Sequence, residues 1–254
     1  MTAARALQDL SPRDQLRAGR MPRRLVQLFV GLTLYGVSMG MMLRSGLGLD
    51  PWDVFHAGVA QHVPVSMGTV VIVTGVLVLA LWIPLRQMPG LGTVANALWL
   101  GVALDLTLAV LPQAEDLAVQ VPLLVGGVVA NGLAGALYIG SQLGPGPRDG
   151  LMTGFARRTG GSLRLIRTSI EITVLALGWL LGGTVGVGTV LYALAIGPLV
   201  QLFMPWCVVV VEPPAPRVRR PGRRAARSGR GAGGDGVEDA DDVLGDLQGG
   251  RRGR

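Results

Sequence analysis

Six ionisable residues sit inside or beside long apolar runs: Asp53, Asp105, Arg148, Asp149, Arg167 and Glu171. Charges at such positions are costly and mark ligand or proton pathways. Arg148 carries the forked donor set that grips a carboxylate or phosphate, so it is the natural anchor for an anionic substrate. Glu171 suits a proton-coupling acid. Arg167 and Glu171 are four residues apart; on a helix they share a face and can pair, and a structural ion pair is the competing explanation. Asp105 either lines a site or marks an outer boundary, six residues before Leu111. Asp53 and Asp149 either line a site or cap their own helices. Asn96 and Asn131 suit hydrogen bonds between helices. There is no Gly-x-Ser-x-Gly, His-Glu-x-x-His or phosphate loop, so no enzyme is expected. His56 and His62 lack partners at metal-ligand spacing, and Cys207 is the only cysteine. No metal and no cofactor are expected.

Three of these residues belong to breaks. Gly48-Leu49-Asp50-Pro51-Trp52-Asp53 and Gly144-Pro145-Gly146-Pro147-Arg148-Asp149 both end one helix and start another. Gly48, Gly144 and Gly146 stop the preceding helix. Pro51 and Pro147 then occupy first helical positions, where a missing N–H costs nothing. An Asp in the first turn suits the positive helix end. The segments that follow, Trp52–His62 and Arg148–Arg158, make about three turns each, too short to cross a bilayer. Two placements are open: flat at the interface, or re-entrant with N-termini pointing towards the membrane centre.

The elements that position these breaks are apolar. The chain has 254 residues, 50% hydrophobic and 15% charged, with a formal net charge of +7. Mean hydropathy is +0.48. Soluble domains carry about 25% charge, so this chain belongs in a bilayer. Six runs of about 18–24 residues are predicted to span it as helices: Leu25–Leu43, Gly68–Leu85, Thr93–Leu111, Val119–Gly140, Leu165–Leu181 and Val187–Val211. The fold class is therefore an all-α integral membrane protein. The expected partner is the lipid bilayer, together with a small-molecule substrate. Homo-oligomerisation is open.

The chain repeats itself. Sliding residues 31–101 onto 127–197 without a gap sets Gly31 on Gly127, Gly36 on Gly132, Ser45 on Ser141 and Ser66 on Ser162. Gly48, Pro51 and Asp53 fall on Gly144, Pro147 and Asp149, and Gly90-Leu91-Gly92-Thr93-Val94 falls on Gly186-Val187-Gly188-Thr189-Val190. Turn-forming residues dominate the matches, which indicates shared backbone geometry. Small residues four apart, Gly36 with Gly40, Gly132 with Ala136 and Gly178 with Gly182, predict close helix crossings. Each repeat, about 24–112 and about 119–211, holds three spans. Three is odd, so the second copy is inverted. Arginines alternate with Arg-poor loops in the order that six spans require, placing both termini in the cytoplasm of a bacterial inner or plasma membrane. Residues 1–23 read as a flexible Arg-rich tail. Residues 212–254 read as a low-complexity, disordered tail. Its arginines lack interleaved aromatics, so no nucleic-acid partner is expected.

The chain resembles the YczE/YitT group of bacterial multi-pass membrane proteins, and the YczE branch in particular. The residues carrying the resemblance are Gly46-Leu47-Gly48 with Pro51-Trp52-Asp53, Gly144–Leu151, Arg167 with Glu171, and Gly178-Trp179-Leu180-Leu181-Gly182-Gly183 through Gly188-Thr189. The resemblance covers about residues 24–205. It implies an integral membrane protein without an agreed activity; one branch is associated with lipopeptide production. Inverted repeats are common in transporters. The expected function is a transporter or permease with a midplane site between the repeats, lined by Asp53, Asp105, Arg148, Asp149, Arg167 and Glu171. The alternative is a non-transporting accessory protein for biosynthesis or export of a secreted metabolite.

Overall fold

A computed structural model describes Leu7 and residues 10–211. The 212–254 tail lies outside the described residues, as do residues 1–6, 8 and 9 of the N-terminal tail. Among the described residues all regular structure is helical: α1 (Pro12–Arg17), α2 (Met21–Ser45), α3 (Pro51–Ala60), α4 (Met67–Trp82), α5 (Leu91–Val110), α6 (Leu117–Gly140), α7 (Pro147–Thr159), α8 (Leu163–Leu180) and α9 (Val187–Cys207). Four of them, α2, α5, α6 and α9, are long and apolar enough to cross a membrane. Helix α4 is apolar but has 16 residues. Helix α8 has 18 residues and carries Arg164, Arg167 and Glu171.

Both breaks form as sharp reversals. Helix α2 ends at Gly46 in the left-handed region, φ 68°. Gly48 and Gly144 have φ of 121° and 123°, a region that only glycine enters freely. Pro51 and Pro147 then open α3 and α7.

Positions that the sequence register equates make the same bonds. Gly92 N–H donates to Leu143 O at 2.7 Å, and Gly188 N–H donates to Leu47 O at 2.8 Å. Thr93 Oγ1 accepts from Gly90 N, and Thr189 Oγ1 from Gly186 N, both at 3.2 Å. Packing follows the same pattern. Helices α2 and α6 cross each other, α2 lies on α5 and α6 on α9, and α3 lies on α8 and α7 on α4. Gly36 and Gly132 mark two of these crossings: an added Cβ would meet Ala103 Cβ and Leu199 Cβ, respectively, at 2.6 Å.

One extensive pairing has no counterpart. Helix α4 packs closely on α5, whereas α8 and α9 make no comparable contact. The cause is side-chain size. Gly75 of α4 lets Ala97 of α5 approach to 3.3 Å of an added Cβ, and Gly68 faces Gly101. In the second copy Gly68, Val71 and Gly75 become Arg164, Arg167 and Glu171, which hold α8 away. Gly197, the register mate of Gly101, has no atom within 4 Å of an added Cβ.

Two boundaries differ from the sequence reading. Part of the expected flexible tail is folded: Ser11 Oγ accepts from Asp14 N–H to start α1, and Ala18 is buried. The reason is Arg24, the residue that follows this tail. It is fully buried and donates to the carbonyl of Gln15 in α1 and to those of Ser141 and Gln142, which the end of α6 leaves open. At the other end α9 stops at Cys207, and Val209 N–H donates instead to Gly140 O at 2.9 Å.

The asymmetry predicts opposite responses at matched positions. Gly101→Ala forces a methyl group onto the Gly68 carbonyl and Ile72, and is expected to cost about 1–3 kcal/mol in thermal unfolding of the detergent-solubilised protein. Gly197→Ala is expected to leave the midpoint unchanged or raise it, by up to about 1 kcal/mol.

Candidate functional site

The missing α8–α9 contact leaves a cavity of about 500 Å³. Its floor receives the first turns of both short helices: Asp50, Pro51 and Trp52 from α3, and Gly146, Pro147, Arg148 and Asp149 from α7. Helix α8 contributes Arg167 and Glu171 to its wall. The gap thus exists where two glycines of the first copy are replaced by charged residues in the second.

Asp50 starts α3. Its Oδ1 accepts from Trp52 N–H at 2.8 Å and Asp53 N–H at 2.9 Å. The cap of α3 is therefore Asp50, and Asp53 does not perform the capping role weighed for it. Asp53 is 1% exposed and instead faces His56, with Nδ1 and Oδ1 3.2 Å apart. Arg148 reaches across from α7. Its Nη1 lies 3.8 Å from Asp50 Oδ1 and its Nη2 lies 3.7 Å from Asp53 Oδ1. The guanidinium stacks 5.0 Å from the centre of the Trp52 ring. Trp52 and Arg148 occupy equivalent places in the two breaks, so the copies meet through the one pair at which they differ most in chemistry.

Asp149 does not cap α7 with its side chain either, since the Gly146 cap has no side-chain bond. Its Oδ2 accepts from Tyr138 O–H at 2.8 Å. Arg167 Nε donates to Glu171 Oε1 at 2.9 Å, the pairing that their spacing predicts. Asn131 Nδ2 donates to Ser38 Oγ at 2.9 Å and its Oδ1 accepts from Tyr192 O–H at 3.3 Å, so Asn131 bonds between helices as expected. Asn96 lines the cavity.

Asp105 is not brought to this site. Its carboxylate accepts from Ser66 O–H at 2.5 Å and from Gly68 N–H at 2.7 Å. It closes the N-terminus of α4 from the neighbouring α5, a capping role. Gly48 and Gly144 shape the breaks from behind, and Pro147 O accepts from Trp82 Nε1 at 3.0 Å.

Four lining residues escaped the sequence reading: Asp50, Tyr35, Tyr138 and Tyr192. Asp50 had a signal, since Asp directly before Pro is a strong helix-start pattern. The tyrosines had none beyond polar atoms within apolar runs. Among the described residues, no group of three or more His, Cys, Asp or Glu converges as metal ligands.

A bundle of apolar helices around a polar cavity defines the class as a membrane protein. Residues 22–205 match a family of unknown function, DUF6198, and the chain belongs to it. It is 38% identical over 177 residues to an uncharacterized protein of Haemophilus influenzae, covering 70% of this chain and 81% of that one. It is 32% identical over 187 residues to the uncharacterized membrane protein YczE of Bacillus subtilis, covering 72% of this chain and 86% of that one. It is 26% identical over 180 residues to the uncharacterized protein YyaS of the same organism, covering 69% and 90%. The YczE resemblance read from the motifs is borne out. No solved structure matches.

Both acids hold a helix start, and substitution tests each. Asp50→Asn keeps the cap and is expected to leave thermal stability in detergent nearly unchanged, whereas Asp50→Ala is expected to lose about 1 kcal/mol. Asp105→Ala is expected to lose a similar amount by freeing the start of α4.

Proposed function

We propose that this membrane protein is a transporter or permease of a small molecule, with its site between two inverted three-helix halves. The observation that carries the reading is the polar cavity reached by the first turns of both α3 and α7. Discontinuous helices whose N-termini meet at a polar site are the usual construction of such proteins. An accessory protein acting through its tails has no need of this space.

In this reading α4 and α8 cross the bilayer with the four longer helices. Helix α4 rises about 24 Å, close to the hydrocarbon thickness. Helix α8 turns Arg167 and Glu171 to the cavity, while Leu165, Ile172 and Trp179 face outward. Helices α3 and α7 are the re-entrant elements. The gapless register and the matched bonds at Gly92 and Gly188 support the repeat. Its inversion and the cytoplasmic termini follow from the arginine distribution. The membrane is the cell membrane.

Metabolite profiling of a deletion strain against wild type tests this without a substrate in hand. The expected result is a small molecule displaced between cell and medium. The wild-type gene and a gene lacking residues 212–254 should restore the balance; Arg148→Ala and Glu171→Gln should not. Full restoration by both substituted proteins would contradict the transport reading.

A further inference from the structure

We propose that the cavity binds an organic cation, an amidinium, guanidinium or ammonium group carried on an apolar body. The proposal rests on the transport reading of the cavity and names its substrate class.

The charges lining the cavity are unequal. Arg167 is engaged by Glu171 at 2.9 Å. Arg148 is shared between Asp50 and Asp53 at 3.8 and 3.7 Å. Neither guanidinium stands free to anchor an anion, so the role expected of Arg148 from its residue type is already filled by the protein's own carboxylates. Acid remains in excess. Asp50 and Asp53 share the single guanidinium of Arg148, and the hydrogen bond that Asp149 accepts comes from the uncharged Tyr138 hydroxyl.

Asp50 supplies the second observation. It is 2% exposed and lines the cavity. One oxygen is used by the start of α3, while Oδ2 is buried and accepts no hydrogen bond. A buried acceptor without a donor is costly. A ligand N–H would satisfy it. Aromatic rings complete the wall: Tyr35, Trp52, Tyr138 and Tyr192. Ring faces attract cations, and Arg148 already uses Trp52 in this way. These walls, and the lack of converging metal ligands among the described residues, favour an organic cation over a metal ion. The volume falls within the range of small-molecule sites, roughly 300–1,000 Å³.

Benzamidinium and benzoate have nearly the same size and shape and opposite charge. Titration calorimetry on the purified full-length protein in detergent should show saturable binding of benzamidinium and none of benzoate. Asp50→Asn keeps the α3 cap and should weaken benzamidinium by about tenfold or more. Asp149→Asn should do the same, and Asp149→Glu should retain binding. Size-exclusion profiles and thermal midpoints identify any variant that fails to fold. The cation class is overturned if benzoate binds as well as benzamidinium, if benzamidinium does not bind, or if both folded Asn variants bind it like wild type. Reconstitution in phosphatidylglycerol-containing vesicles separates the two readings. Benzamidinium that binds but never crosses upholds the cation site and contradicts transport. Saturable movement of benzoate upholds transport and overturns the cation class.

Discussion

Backbone groups at membrane depth must find partners within the protein, because hydrocarbon offers none. The two Pro-x-Asp breaks find such partners in each other's half. Leu47 O, freed by the first break, accepts from Gly188 at the start of α9. Leu143 O, freed by the second, accepts from Gly92 at the start of α5. Each break is therefore bonded to a helix of the opposite copy. The meeting of Trp52 with Arg148 follows from this arrangement.

The cavity follows from a second constraint, side-chain volume. A repeat folded twice with identical packing would close both helix pairs. Small residues close the first, where Gly68 and Gly75 of α4 admit α5. Arg167 and Glu171 stand in the second and turn charge to the gap. The asymmetry that makes space for a ligand is thus also the source of its polar wall.

Much of this was legible in the sequence. Helix positions, both breaks and the register between copies follow from apolar length, Gly and Pro punctuation, and internal matching. The pairing of Arg167 with Glu171 followed from spacing alone. Roles that depend on which helix stands opposite were not legible. Asp105 looked like an intramembrane acid until Ser66 and Gly68 stood beside it. Nothing in the sequence marked Arg24 as the donor to the carbonyls after α6. Apolar helices give little sign of which face meets lipid and which meets protein, so the tyrosines of the cavity stayed hidden. The replacement of Gly68 and Gly75 by Arg164 and Glu171 was visible in the register; its meaning required knowing that these positions face α5.

The central claim is that the second helix pair leaves a polar space of about 500 Å³ open to water, whereas the first leaves only about 20 Å³. Cysteine labelling tests it directly, on a Cys207→Ser background with Ala193→Cys or its register mate Ala97→Cys. Ala193 lines the cavity, whereas Ala97 is buried at the α4–α5 contact. A charged methanethiosulfonate reagent attacks the thiolate, which forms where water reaches. The account predicts rapid labelling at position 193 and protection at position 97. Protection at both positions, or equal labelling of both, would contradict it.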